Sequence, residues 1–153
     1  MRANNHTFAL MRKLDTNMLM YMSSFFLPEG MLDFFDIVRV DEESRPEEEI
    51  YTGGVLHIYL DEQDNRVADQ QRLRPNGFTE ESLINDFPIR DRKVVLHVRR
   101  RRWLDEEGKN VVLNVYKLAV TGTRYSEEFA AFLKERLGYV PSDGPFAGAL
   151  LQD

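Results

Sequence analysis

The stretch Lys93 to Trp103, Lys-Val-Val-Leu-His-Val-Arg-Arg-Arg-Arg-Trp, constrains this chain more than any other. It is rich in β-branched residues, and strand alternation sorts it into two faces. Val94, Leu96 and Val98 share one face with Arg100 and Arg102. Val95 and His97 share the other with Arg99, Arg101 and Trp103. The pattern predicts an extended segment whose apolar part enters a core and whose Arg end projects from it. A second extended run, Val111 to Val120, follows a polar connection in which Gly108 can take positive φ. A ribbon-like hairpin over about 93–120 is therefore expected.

The flanking sequence predicts helices near both ends. Asp15 to Phe26 is rich in Met, Leu, Tyr and Phe, with Asp15 or Thr16 to cap it. Pro28 can open a second short helix. Met31, Phe34, Phe35 and Val38 fall on one helical face, running into an extended Ile37 to Val40. Leu56, Ile58 and Leu60 mark a strand over Val55 to Leu60 after the bend Gly53-Gly54. Asp61 to Asn76 reads as a polar excursion, and Phe78 to Ile89 as mostly extended, because Pro88 disfavours helix at Phe87. Ser126 is placed to cap a helix with Glu127 and Glu128 in its first turn. Phe129, Phe132, Leu133 and Leu137 form its apolar stripe, Lys134 and Arg136 fill its last turn, and Gly138 ends it. The expected fold is α+β: a small, mostly antiparallel sheet, the hairpin, and helices near both ends. One domain over 15–138 is expected, between a flexible N-terminus 1–14 and a flexible tail 139–153.

A chain of 153 residues, 42% of them hydrophobic, suits one domain with a real core. The absence of Cys excludes disulfides and thiolate metal sites and fits a cytoplasmic protein. No apolar run approaches the roughly 20 residues that cross a bilayer. Met18 to Leu27 follows Arg12 and Lys13 as a targeting segment would, but Asp15 and Asn17 interrupt it and no small-residue cleavage pattern follows. It is expected to be a helix docked on the core. His6, His57 and His97 lack the companions that a metal site needs, so no metal or cofactor is expected. There is no Gly-x-Ser-x-Gly elbow and no phosphate-binding loop, and the carboxylates cluster in exposed places. Catalysis by this chain alone is not expected.

The net charge of -6 hides segregation. Asp41 to Glu49 is acidic apart from Ser44, Arg45 and Pro46, whereas Arg90 to Arg102 is basic with Asp91 as its single acid. Guanidinium forks suit phosphates, which makes Arg99, Arg100, Arg101 and Arg102 candidate DNA contacts, extended by Arg90, Arg92 and Lys93. Trp103 can stack on a base or brace the core. The alternative is that the run pairs with the chain's own acids, or guards a sheet edge against aggregation.

Several segments resemble a known family. They are Leu27-Pro-Glu-Gly-Met-Leu-Asp-Phe-Phe, Leu56-His-Ile-Tyr-Leu, the block from Ile84 through Asp86-Phe-Pro to Trp103, and Gly122 to Glu135. Together they are similar to N-terminal region proteins of bacterial insertion-sequence transposases of the ISAon type, over roughly Leu27 to Leu137. The Asp86-Phe-Pro block is also similar to a wider group of transposases in which two Cys pairs hold a structural zinc. This chain has none of those Cys, so the resemblance implies a ribbon without its metal. It implies a non-catalytic module that recognises the element's terminal repeats. A separate subunit with three carboxylates and divalent metal would supply catalysis, and a homo-oligomer is compatible. The alternative is a protein-interaction domain with no direct DNA contact, in which Met18, Met20, Met22, Phe25 and Phe26 form an exposed adaptable surface. The DNA reading carries a further expectation, that the acidic loop Asp41 to Glu49 covers the Arg run until DNA displaces it, with neutralisation of Glu47, Glu48 and Glu49 as its test.

Overall fold

The computed structural model describes residues 15–44, 53–119 and 123–141. Helix α1 is Thr16–Ser24, and a 3-10 turn Met31–Asp33 leads into β1 (Phe35–Glu43). Then come β2 (Val55–Glu62), a 3-10 turn Ala68–Gln70, β3 (Arg74–Phe78), β4 (Ser82–Ile89), β5 (Arg92–Arg99), β6 (Arg101–Leu104), β7 (Asn110–Val111) and α2 (Glu127–Leu137). A four-stranded sheet has the order β1-β2-β5-β4, and a three-stranded one the order β3-β6-β7. Only β2 and β5 pair in parallel among the described strands. The architecture is α+β with a mostly antiparallel sheet and a helix toward each end.

The alternation in β5 and β2 works as read. Val94, Leu96, Val98, Ile58 and Leu60 bury one face, with Ile84 from β4. Leu27, Met31 and Phe35 close over that face, joined by Tyr116, Leu118 and Ala119. A second cluster forms where α2 sets Phe129, Ala130 and Leu133 against Phe87 and Tyr125. Met31 and Phe35 are buried as their spacing implies, but Val38 is exposed. A bulge between Ile37 and Arg39 inserts it into β1 and turns it outward.

Three expectations need correction. The hairpin is shorter than 93–120, because the run Lys93 to Trp103 is two strands in two sheets. Arg100 N donates to Thr79 Oγ1 at 3.0 Å, and Thr79 N donates to the Arg100 carbonyl at 2.8 Å. This pairing takes Arg100 out of the β5 ladder and hands the chain to β6. Beyond Val111 the chain leaves the ladder to cover the core face, with Leu113 buried, and Val120 lies outside the described residues. The hairpin that forms, β6–β7, is pinned by Asp105 Oδ1, which accepts from Glu107 N and Lys109 N, each at 2.9 Å.

Ser126 sits at the N-cap of α2, but its hydroxyl does not cap the helix. It donates instead to Asp86 Oδ1 at 2.7 Å, deep in the interior. Helix α1 is capped by Asp15 as expected, with Oδ1 accepting from Asn17 N at 3.0 Å. It does not dock on the core, however, and none of its residues is buried.

Candidate functional site: the arginine run and the apolar helix

The parallel register of β2 and β5 places Asp61 opposite Arg99. The two form a bidentate pair, Nε to Oδ1 at 2.8 Å and Nη2 to Oδ2 at 2.6 Å. That hydrogen-bonded carboxylate raises the Arg99 pKa further above its usual range. One residue on, Glu62 lies buried on the core face. Its carboxylate accepts from Arg100 Nη1 at 3.2 Å and from the Arg101 backbone N at 3.3 Å. Burial pushes the Glu62 pKa up, and the bonds from Arg101 and Arg100 hold it back. Arg100 Nη2 also donates to the Tyr116 carbonyl at 2.6 Å, and Arg101 Nε donates to the Glu62 carbonyl at 2.8 Å. Arg101 also lies over the Phe78 ring at 5.1 Å. These contacts fasten the junction of the two sheets.

The other candidates are dispersed. Arg92 Nε donates to Glu42 Oε1 at 3.0 Å, and its Nη1 lies 3.3 Å from Asp91. Lys93 is half-buried at the start of β5. Arg90 is exposed in the β4–β5 turn, in the left-handed region at φ 60. Arg102 is half-buried and has no salt bridge among the described residues, and its Nε is buried without a hydrogen-bond partner there. Arg90 and Arg102 lie beyond opposite ends of β5, whose 8 residues span roughly 26 Å at about 3.3 Å each. The seven candidates therefore do not converge on one cationic surface. Trp103 is buried, with the Arg66 guanidinium 4.3 Å over its ring, so it braces the core and shows no face to a base.

Sequence reading missed Asp61 and Glu62, because it assigned the neutralising acids to 41–49. Of that segment, Glu42 engages Arg92, while Glu47, Glu48 and Glu49 lie outside the described residues. It also missed Arg74 on β3. The register pairs Arg74 with Leu104 and Leu104 with Asn110, so all three share the outer face with Arg102. Asn76 Nδ2 donates to Asn110 Oδ1 there at 2.6 Å.

The other candidate surface is α1. From Thr16 to Pro28 there is no charged side chain. Met18, Met20, Tyr21, Met22, Phe25 and Phe26 are all exposed, Tyr21 at 68% and Phe25 at 70%. Tyr21 and Phe25 meet edge to face with centroids 5.1 Å apart, one turn apart on the helix. Phe25 and Phe26 line a groove together with Phe87, Pro88, Arg90 and Glu128. The helix mixes Thr16, Asn17, Ser23 and Ser24 with five apolar residues, of which only Leu19 is half-buried and none is buried.

Among the described residues no group of three or more His, Asp or Glu is placed to hold a metal ion, and no helix is long and apolar enough to cross a membrane. No known family description, curated protein or solved structure matches this chain.

Proposed function

We propose that the chain is a non-catalytic module of a split insertion-sequence transposase, and that it acts by docking α1 onto the separate catalytic subunit. The observation that carries the docking element is the exposure of six large apolar side chains on one uncharged helix and its C-terminal turn. The occupant follows from that chemistry. An uncharged face gains nothing from a polyanion, and it lacks the basic face that holds an interfacial helix on a membrane. It fits an apolar groove on a protein, where Met supplies adaptable contact and Tyr and Phe supply anchors. The transposase context rests on the resemblance carried by Leu27 to Leu137.

The test is sedimentation of the full chain with the product of the neighbouring catalytic reading frame. Wild type is expected to co-sediment with it. A Met18→Gln/Met22→Gln/Phe25→Gln variant is expected to sediment alone with an unchanged circular dichroism spectrum. Equal binding by both chains would reject α1 as the docking element.

A second reading, direct contact with the element's terminal repeats, is favoured by one observation: Arg102 and Arg74 share the outer ribbon face without a carboxylate partner among the described residues. Under this reading Arg102→Gln lowers affinity for a duplex bearing the element's end. It also flattens the log–log salt dependence by about one unit for each phosphate that the variant no longer neutralises. Arg100 is unsuitable for that test, since its removal would strand Glu62.

A further inference from the structure

The open face of the four-stranded sheet carries a chain of four titratable side chains that the docking reading does not use. Glu43 Oε2 lies 2.8 Å from His57 Nε2. His57 Nδ1 lies 2.7 Å from His97 Nε2, and His97 Nδ1 lies 2.5 Å from Glu81 Oε1. His97 is buried and His57 half-buried. The Tyr59 ring stacks on His97 at 4.2 Å, with the Arg39 guanidinium 3.8 Å over the far side of Tyr59. Glu43 belongs to β1 and Glu81 precedes β4, the two outer strands, while the imidazoles belong to the central pair β2 and β5. The contacts therefore run edge to edge across the sheet.

Proton counting limits how this chain can exist. Each ionised carboxylate needs an N–H facing it, so His57 Nε2 and His97 Nδ1 both carry a proton. The contact between the rings needs one more, and can hold only one. Three N–H protons on two imidazoles is one neutral ring and one imidazolium. A fourth proton sets N–H against N–H at the centre, and removing one leaves one of the three contacts without its donor. The other charged or titratable groups on this face are Arg39 and Asp41 from β1, Tyr59 and Asp61 from β2, and Lys93 and Arg99 from β5. Arg39 pairs with Asp41 and Arg99 with Asp61, and both guanidiniums also attract the Glu81 carboxylate across the face; the hydrogen-bond donor to Glu81 is His97 Nδ1.

We propose that Glu43, His57, His97 and Glu81 form a proton-dependent strap, closed only while the two imidazoles share one positive charge, that ties both outer strands to the centre of the sheet and lets an outer strand loosen when the pair gains or loses a proton. The strap is a pH-sensitive device independent of α1. The sequence could not reveal it, because His57 and His97 are neighbours only through the parallel register that sets His57 opposite Val95 and Tyr59 opposite His97.

The experiment is a pH titration of the full chain by nitrogen-15 imidazole NMR, with hydrogen exchange followed in parallel. In wild type the two rings are expected to gain their protons in coupled steps and not independently. Amides of residues 41–43 and 82–84 should exchange about tenfold more slowly between the steps than outside them, once the intrinsic pH dependence of exchange is divided out. In His57→Gln the slowing of exchange between the steps should be lost at both edges, and in Glu81→Gln it should be lost at residues 82–84 while residues 41–43 keep it. Wild-type rings that titrate in one common step, with exchange at both edges insensitive to it, would overturn the proposal. So would slowed exchange at residues 82–84 that persists in Glu81→Gln.

Discussion

The two helices among the described residues contain similar numbers of apolar residues and dispose of them in opposite ways. Helix α2 buries Phe129, Ala130 and Leu133 against Phe87 and Tyr125 and turns Glu127, Glu128, Lys134 and Glu135 outward. Its acids lie in the first turn and its bases in the last, where each complements the helix dipole. Helix α1 buries nothing and has no charge to keep in water. At 9 residues it is also shorter than the roughly 12 to 15 at which isolated helices become even marginal in water. One helix is complete within the fold, and the other has its packing surface facing outward. An apolar stripe in a sequence therefore shows that a surface needs covering, and does not say which molecule covers it.

The largest effect that sharpens this contrast is expected inside the fold. Phe129→Ala removes a buried ring and should cost about 3 to 5 kcal/mol in chemical denaturation. The same truncation at exposed Phe25 should leave stability within about 0.5 kcal/mol. A comparable loss at both positions would mean that α1 packs on the core in solution.

Arg100→Met comes next. It leaves Glu62 buried without its guanidinium, a loss of about 3 to 5 kcal/mol at neutral pH. The sign with pH follows from Glu62, whose folded-state pKa is raised. Such a carboxyl binds its proton more readily folded than unfolded, so its contribution is full below the unfolded value and falls as pH rises through the folded one. The deficit of the variant should shrink on acidification. A deficit independent of pH would remove Glu62 from the explanation.

Asp86 predicts a smaller effect of the same sign. Burial raises its pKa, opposed by the Ser126 hydroxyl. Wild-type stability should fall as pH rises through that titration, by at most about 1.4 kcal/mol per pH unit. Asp86→Asn keeps an acceptor for Ser126 and should flatten the slope, as read from denaturation midpoints at successive pH values. Asp64 acts oppositely and in another window: its pKa is lowered from 3.8 by the Arg66 hydrogen bond, so its contribution disappears only in stronger acid. The smallest effect belongs to Arg99→Ala. It breaks a pair that is well aligned but exposed on the guanidinium side, and should cost no more than about 1 kcal/mol by thermal denaturation.

Much of the fold was legible because it is written locally. Val94, Leu96 and Val98 alternate, Phe129 and Leu133 recur one turn apart, and Gly138 stops α2 in the left-handed conformation. What was hidden depends on pairings distant in sequence. The strand break at Arg100 needs Thr79, and the neutralisation of Arg99 and Arg100 needs a parallel register between segments joined through two further strands. Ser126 looked like a cap because its neighbours fit the pattern, yet Asp86, forty residues away, claims its hydroxyl. At the candidate site the same limit applied. The Arg run was conspicuous, but its partners were not. The exposed helix was read correctly as apolar and wrongly as docked.

Hydrogen exchange of the α1 backbone tests the central claim most directly, measured on the full chain alone and mixed with the catalytic subunit proposed as its partner. In the free chain α1 amides should exchange rapidly while those of α2 are protected, and adding the subunit should slow α1 selectively. Unchanged exchange in α1 with new protection at Arg74 and Arg102 would contradict helix docking. So would an α1 already as protected as α2 in the free chain.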